Sequence, residues 1–359
     1  MNAVMLDPAD PAPPPRIEGP AAWVGQELQQ RSDWIEHLDQ RELEEIDTAV
    51  HRLQASGLGL GEISPQTFAL PTLGPRLKRM LHELLHGRGF ALLRGLDVGR
   101  YTLEQSAIAY LGVGSWLGSF RSQNAKGHLL GHVRDTGADI RKAGTRYYQT
   151  NRELEFHTDS CDIVGLLCLK TSKSGGESRI VSSVTLYNEM MRRRADLAAQ
   201  LFNAFPTDRR GEVPVGADPW FDVPVFNWFC GQLTTIYVGQ YIRSAQENFP
   251  QARRLTPLEV EALAFLDTLA NDPALCLNME FRPGDMQFLH NHQILHSRTD
   301  FEDWPEPERR RHLFRLWLSP REGRPLPGAF AARYGSLTPG ERGGIIVQGT
   351  KLTFSVEPA

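Results

Sequence analysis

The feature that most restricts the fold of this 359-residue chain is a series of short apolar segments, each bounded by turn-forming residues, that runs from Phe90 almost to the last residue. Segments of this kind are expected as strands at Phe90–Leu93, Ile163–Leu169, Arg179–Ser183, Gln232–Val238, Leu275–Phe281, Met286–Leu289, His312–Leu318 and Lys351–Val356. None is long enough to be a helix of ordinary length, and Gly87 and Gly89 open the first of them through a turn. Many short strands separated by turns favour a mainly β protein built as a barrel or jelly roll.

Helical patterns interrupt the strands. Leu43, Ile46, Val50 and Leu53 recur at helical spacing within Trp34–Leu53, which stops at Gly57. Further helices are expected over Leu77–His86 and Leu186–Arg194. Another starts at Thr256, where Pro257 occupies the first helical position and Glu259 completes a capping box. Six prolines within residues 1–20 predict a flexible arm, and residues 21–359 then read as one domain with helical insertions. Residues 119–145, rich in glycine and charge and without periodicity, are the expected lid over any site.

A formal net charge of -4 provides no basic face for nucleic acid and no polybasic stretch for an anionic membrane, so a small-molecule substrate is the default partner. The four cysteines have no CxxC pair or regular spacing, which points to buried thiols in a reducing compartment. With neither a signal-like start nor about eighteen consecutive apolar residues, the reading is a soluble, cytoplasmic protein.

Glu155-Phe156-His157-Thr158-Asp159-Ser160 places an imidazole and a carboxylate two residues apart, on one face of an extended chain, where both can meet one ion. A third ligand is expected far along the sequence, because a jelly roll sets late strands beside early ones. Asn291-His292-Gln293-Ile294-Leu295-His296 is the candidate segment, and composition alone does not rank His290, His292, His296 and His312. Two histidines and one carboxylate would leave coordination positions open, the arrangement of iron(II) oxygenases rather than of closed zinc sites.

In order along the chain, Gly89-Phe90-Ala91-Leu92-Leu93-Arg94-Gly95, the His157/Asp159 pair, Gly175-Gly176-Glu177-Ser178, the Asn291–His296 segment, and Arg311 with Arg315 together resemble the taurine/2-oxoglutarate dioxygenase (TauD/TfdA) family and its clavaminate synthase-like branch, from about Arg88 to Pro320. The resemblance implies a double-stranded β-helix (cupin-like jelly roll) core. It selects His296 as third metal ligand with His157 and Asp159, and gives His292 a supporting place. Fe(II) is the implied cofactor, with 2-oxoglutarate and O2 as co-substrates. It further implies that Arg311 binds the distal carboxylate of 2-oxoglutarate, with Arg310 its competitor, and that Ser178 adds a hydroxyl, with Ser182 and Ser183 as alternatives. Arg315 would then face an anionic group of the prime substrate. The expected reaction is oxidation, chiefly hydroxylation, of an unactivated C–H bond with conversion of 2-oxoglutarate to succinate. A carboxylate at Asp159 argues against halogenation, which in such enzymes goes with a small residue there.

Gln149, Asn151 and Phe156, with Tyr147 and Tyr148, are candidates to line the substrate pocket, and Arg121 is a candidate anion ligand; each reads equally as an ordinary core or surface residue. The glycine-rich segment after Pro320 is expected to wrap the core or to reach a neighbour in a homo-oligomer. Two other readings compete: a non-oxidative jelly-roll metalloenzyme, which gives Arg311 and Ser178 no task, and a metal-free binding protein on the same fold.

Overall fold

The structure, a computed structural model, describes residues 12–138 and 146–357. Two β-sheets form its centre. The larger runs, in spatial order, Ile35–His37, Phe90–Arg94, Met286–His290, Ile163–Lys170 and His312–Ser319, with Ser119–Phe120 and Leu130–Val133 both paired to the last strand. All of these pairings are antiparallel except Ile35–His37 with Phe90–Arg94. The smaller sheet is antiparallel throughout, in the order Leu277–Met279, Ser178–Ser182, Ile294–Arg298 and Leu154–His157.

Strand alternation assigns the faces. Phe90 and Leu92 pack with Ile180, Leu277 and Ile294 of the smaller sheet. Ala91 and Leu93 instead meet Ile46, Leu77 and Leu84 of the helices Gln40–Ser56 and Leu73–His86 on the outer face. Burial on both faces is why this segment reads as an unbroken apolar run. On the smaller sheet Phe156, Val181 and Leu295 turn outward into a second core built by the helices Ser183–Gln200, Gly239–Asn248 and Pro257–Ala270. Each fully buried Leu or Phe in these layers contributes about 1.5–3 kcal/mol. The two sheets thus face each other as the jelly roll expected from the sequence, with helices outside.

Several boundaries differ from expectation. Trp34–Leu53 is not one helix: Ile35–His37 is a strand, and the helix begins at Gln40 because Asp39 and Glu42 form a reciprocal capping box. The helix expected over Leu186–Arg194 extends over Ser183–Gln200, with Arg194 at a kink. The strand expected over Leu275–Phe281 contracts to Leu277–Met279, and that over Gln232–Val238 to Gln232–Thr235. Lys351–Val356 is not a strand; Thr353 makes a single bridge to His128. Cys161, Cys168 and Cys276 are buried thiols, but Cys230 is exposed at the turn between Phe226–Phe229 and Gln232–Thr235.

Residues 1–11 of the expected arm and 139–145 of the expected lid lie outside the described residues, as does the side chain of Tyr147. Within the rest of the arm, the Pro14 carbonyl accepts from the Tyr187 hydroxyl at 2.6 Å, and Ile17 exchanges two hydrogen bonds with Asn188 at 2.8 Å. The segment after Pro320 wraps the core: Arg342 and Ile345 are buried, and Arg342 pairs with Asp162. No helix among the described residues is long and apolar enough to cross a membrane.

Candidate metal centre and adjoining cavity

Antiparallel pairing of Leu154–His157 with Ile294–Arg298 sets His157 directly opposite His296, their rings 4.2 Å apart between centroids. Asp159 follows where the chain leaves the strand. Its backbone N–H donates to Asn291 Oδ1 at 3.1 Å, and Asn291 Nδ2 donates to Cys161 Sγ. Asn291 therefore fastens the loop carrying the carboxylate to the turn that precedes His296, which explains why an asparagine stands five residues before the distal histidine.

One Asp159 oxygen lies 3.8 Å from His157 Nε2 and the other 4.0 Å from His296 Nε2, and all three groups offer atoms within 4.8 Å of one another. Metal–nitrogen and metal–oxygen bonds of about 2.1 Å let one ion bridge atoms up to about 4.2 Å apart, so the carboxylate can share an ion with either ring. His157 Nδ1 sits 2.9 Å from the Glu155 carbonyl, an acceptor only, so Nδ1 carries the proton and Nε2 keeps its lone pair for a metal. Trp317 Nε1 donates to Asp159 Oδ2 at 2.8 Å and Arg315 reaches the same oxygen at 3.4 Å, leaving Oδ1 free.

Electrostatics prepare the same site. Burial, then the neighbouring His157, pushes His296 down to about 3, and burial likewise lowers His157. For Asp159, burial acts upward, but Arg315, both histidines and the Trp317 N–H outweigh it and hold the carboxyl down to about 2. Two neutral imidazoles and a carboxylate form a ligand set that needs no deprotonation before it takes up a divalent cation.

Arg311 is 5% exposed and packs over the Phe301 ring at 5.2 Å. Its backbone N–H is held by Asp303, yet one guanidinium nitrogen is sealed without any acceptor among the described residues. A charged donor in that state is costly unless a ligand completes it. Gly176, at φ +77°, permits the approach: a Cβ there would stand 3.1 Å from Arg311 Nε. Ser178 opens the neighbouring strand opposite Arg298, and its hydroxyl accepts from Gln287 at 3.1 Å. Ser182 instead caps the helix Ser183–Gln200, Ser183 is buried with no side-chain partner among the described residues, and Arg310 is exposed, donating to the Trp304 and Pro305 carbonyls.

A cavity beside the triad is lined by His157, Asp159, Arg315, Trp317, Tyr148 and Arg333 among others. Arg315 projects into it from the inner face of the His312–Ser319 strand, stacked on Tyr148 at 4.6 Å and on Trp317 at 5.0 Å. Its Nε donates to Gln123 at 2.7 Å. Three expected substrate residues are placed differently. Asn151 is exposed, and its carbonyl accepts from Phe301. Gln149 lies on an adjoining groove, bonded to the Arg146 backbone. Phe156 borders the cavity, but its ring is 2% exposed and belongs to the helix-facing core, because residues adjacent in a strand face opposite ways. Arg121 is bound to Ser119 and the Gly340 carbonyl.

The other histidines are accounted for. His292 Nε2 contacts Asp162 at 2.7 Å, His290 is fully buried, and His312 stacks on His132. Sequence reasoning missed Trp317, Gln123 and the buried Asp162–His292–Arg342–Ser319 network, which joins residues more than 100 positions apart. The only sequence signal for Trp317 was its place two residues after Arg315 on one strand face.

Fold and site together describe a jelly roll with a candidate two-histidine, one-carboxylate metal centre. Residues 53–317 match the taurine catabolism dioxygenase TauD, TfdA family, and the chain belongs to that family. It is therefore an iron(II)- and 2-oxoglutarate-dependent dioxygenase, an oxidoreductase acting on small molecules. It is 31% identical over 317 residues to FR-33289 synthase of Streptomyces rubellomurinus (strain ATCC 31215), covering 87% of this chain and 92% of that protein. It is 32% identical over 310 residues to the taurine hydroxylase-like protein SAT17 of Stachybotrys chartarum (strain CBS 109288 / IBT 7711), covering 84% and 79%. Its fold matches asparagine oxygenase in complex with Fe(II), 2S,3S-3-hydroxyasparagine and succinate, at a TM-score of 0.62 and 18% identity over 79% of this chain and 93% of that one. The non-heme iron oxygenase OrfP in complex with Fe and alpha-ketoglutaric acid gives 0.60 and 15% over 79% and 93%.

Proposed function

We propose that this dioxygenase hydroxylates a C–H bond of a small anionic substrate, with iron(II) held by His157, Asp159 and His296 and with the distal carboxylate of 2-oxoglutarate on Arg311 and Ser178. The observation that carries the reading is the buried, uncompleted guanidinium of Arg311 on the same jelly roll as the convergent triad. A non-oxidative metalloenzyme would use the triad and leave that buried donor without a purpose.

Bound iron, with 2-oxoglutarate as reductant, would supply oxygen activation, one oxygen atom passing to succinate and the other to substrate as CO2 is released. The chain's own part is positional. The Glu155 carbonyl fixes the His157 ring by holding its Nδ1–H, and Asn291 fixes the Asp159 loop. Trp317 and Arg315 occupy one carboxylate oxygen, so Asp159 offers the other in one orientation. Tyr148 and Trp317 pack against Arg315 and wall the cavity, limiting water near the reacting C–H. Three buried, unbridged thiols suit a reducing compartment, and we place the protein in the cytoplasm.

The test is turnover with a panel of small carboxylates, sulfonates, phosphonates and amino-acid derivatives. Iron-dependent oxygen consumption with one succinate formed per hydroxylated product, absent in His296→Ala, is expected. Metal-dependent conversion that proceeds without oxygen would refute the assignment.

A further inference from the structure

The cavity next to the triad is flanked by more positive charge than the metal chemistry uses. Arg146 is matched by Glu212 and also donates to the Tyr241 hydroxyl at 2.9 Å. Arg210 is 3.6 Å from Asp208. Arg315 is divided between Gln123 and Asp159 and stacked on two rings, so it is already committed. Arg333 is different. It lines the cavity, yet it has no ion-pair partner among the described residues, and its one side-chain hydrogen bond runs from Nε to Ser160 Oγ at 2.7 Å. Ser160 directly follows Asp159, so this guanidinium sits beside the metal-binding loop with its terminal nitrogens unaccepted.

Two further observations make this a built feature rather than a surface arginine. Arg333 and Arg209 lie on the same Phe221 ring, at 5.7 and 5.1 Å, so two like charges share one aromatic side chain. Burial, and then this neighbouring charge for Arg209, lowers both below the usual guanidinium range. The short helix Ala331–Tyr334 that carries Arg333 is anchored by Phe330 and Tyr334, which are 0% and 4% exposed with rings 5.5 Å apart, and by the Tyr334 hydroxyl donating to the Cys161 carbonyl. That helix lies beyond residues 53–317, the span of the family match.

We propose that Arg333, seated on Ser160, is the specificity-determining residue that binds the oxyanion head group of the prime substrate. The inference rests on the reading that this cavity receives that substrate. A planar guanidinium with free terminal N–H groups suits bidentate contact with a carboxylate, sulfonate or phosphonate. An unpaired cation on a half-buried wall recovers its desolvation cost when such an anion arrives.

The experiment is anaerobic calorimetric titration of the protein loaded with Fe(II) and 2-oxoglutarate, using methylphosphonate, methanesulfonate and acetate as separate probes. Parent, Arg333→Gln and Arg333→Lys are compared, with thermal melts to verify folding. At least one probe should bind the parent at one site and bind Arg333→Gln at least tenfold more weakly, and the tightest probe names the head group. Arg333→Lys, which keeps the charge but loses the fork, should bind at least threefold more weakly and serves if the glutamine variant does not fold. Parent-like affinity in the folded variants, or no binding of any probe to the parent, overturns the proposal. The visible iron–2-oxoglutarate band, recorded on the same samples, separates the two ideas. A band without anion binding sinks the Arg333 site alone, whereas Arg333-dependent anion binding without a band supports the site and sinks the iron reading.

Discussion

Replacing Arg311 by methionine should move two quantities in opposite directions. In the absence of co-substrate, the buried guanidinium has one nitrogen with no acceptor, a defect that costs about 1–3 kcal/mol. Its contact with the Phe301 ring returns about 0.5–2 kcal/mol, most of which an apolar side chain of similar length replaces by packing. The variant without 2-oxoglutarate should therefore be as stable as the parent or more stable by up to about 2 kcal/mol. Loss of a charge-assisted contact to the distal carboxylate should cost about 2–5 kcal/mol of binding, roughly a 30-fold to several thousand-fold rise in Kd. The assay is chemical denaturation with and without 2-oxoglutarate on metal-loaded protein, beside a direct binding titration. At a hundred times its Kd for the parent, the co-substrate should stabilise the parent by about 2.7 kcal/mol and the variant by less than about 1 kcal/mol. A variant that is clearly less stable without ligand, yet binds 2-oxoglutarate like the parent, would make Arg311 a structural cation and refute the reasoning.

Other outcomes follow from the same geometry. Gly176→Ala, at φ +77° and with a Cβ 3.1 Å from Arg311 Nε, should lose about 1 kcal/mol or more and raise the KM for 2-oxoglutarate; an unchanged KM would contradict the packing argument. Trp317→Phe removes the N–H held by Asp159 Oδ2 and should weaken iron(II) binding about tenfold to a hundredfold in chelator competition, with the fold intact. For Asp162, burial acts upward, but His292 and Arg342 outweigh it and hold the carboxyl below its ordinary range. Its stabilisation is therefore full above the unfolded value of about 3.9 and lost as pH falls through the lower folded value. Asp162→Asn should accordingly cost about 3–5 kcal/mol at neutral pH, with the gap to the parent narrowing in acid melts; a gap independent of pH would refute this.

What the sequence revealed depended on whether a pattern was local. Thr256 and Glu259 cap the helix Pro257–Ala270 as their spacing predicts, and Phe90–Arg94 is the buried strand its apolar run implies. His157 and Asp159 were legible as neighbours on an extended chain, and the distal histidine was legible only through resemblance. The helix Leu103–Ser115 went unseen because residues Ser106 to Gly114 are all buried, which erases the amphipathic stripe. Phe156 borders the cavity, but alternation from His157 points its ring to the opposite core. Arg333 and Arg342, which pairs with Asp162, arise from long-range wrapping of a glycine-rich segment, which carries no periodic signal.

The most direct test of the account is an anaerobic titration of metal-free protein with iron(II) and 2-oxoglutarate, followed by the visible charge-transfer absorption of the chelate. We predict a band for the parent that saturates at one iron per chain and is abolished in His296→Ala. Tight metal binding with no band, or a band that persists undiminished in His296→Ala, would contradict the assignment of His157, Asp159 and His296 as the centre on which 2-oxoglutarate is held.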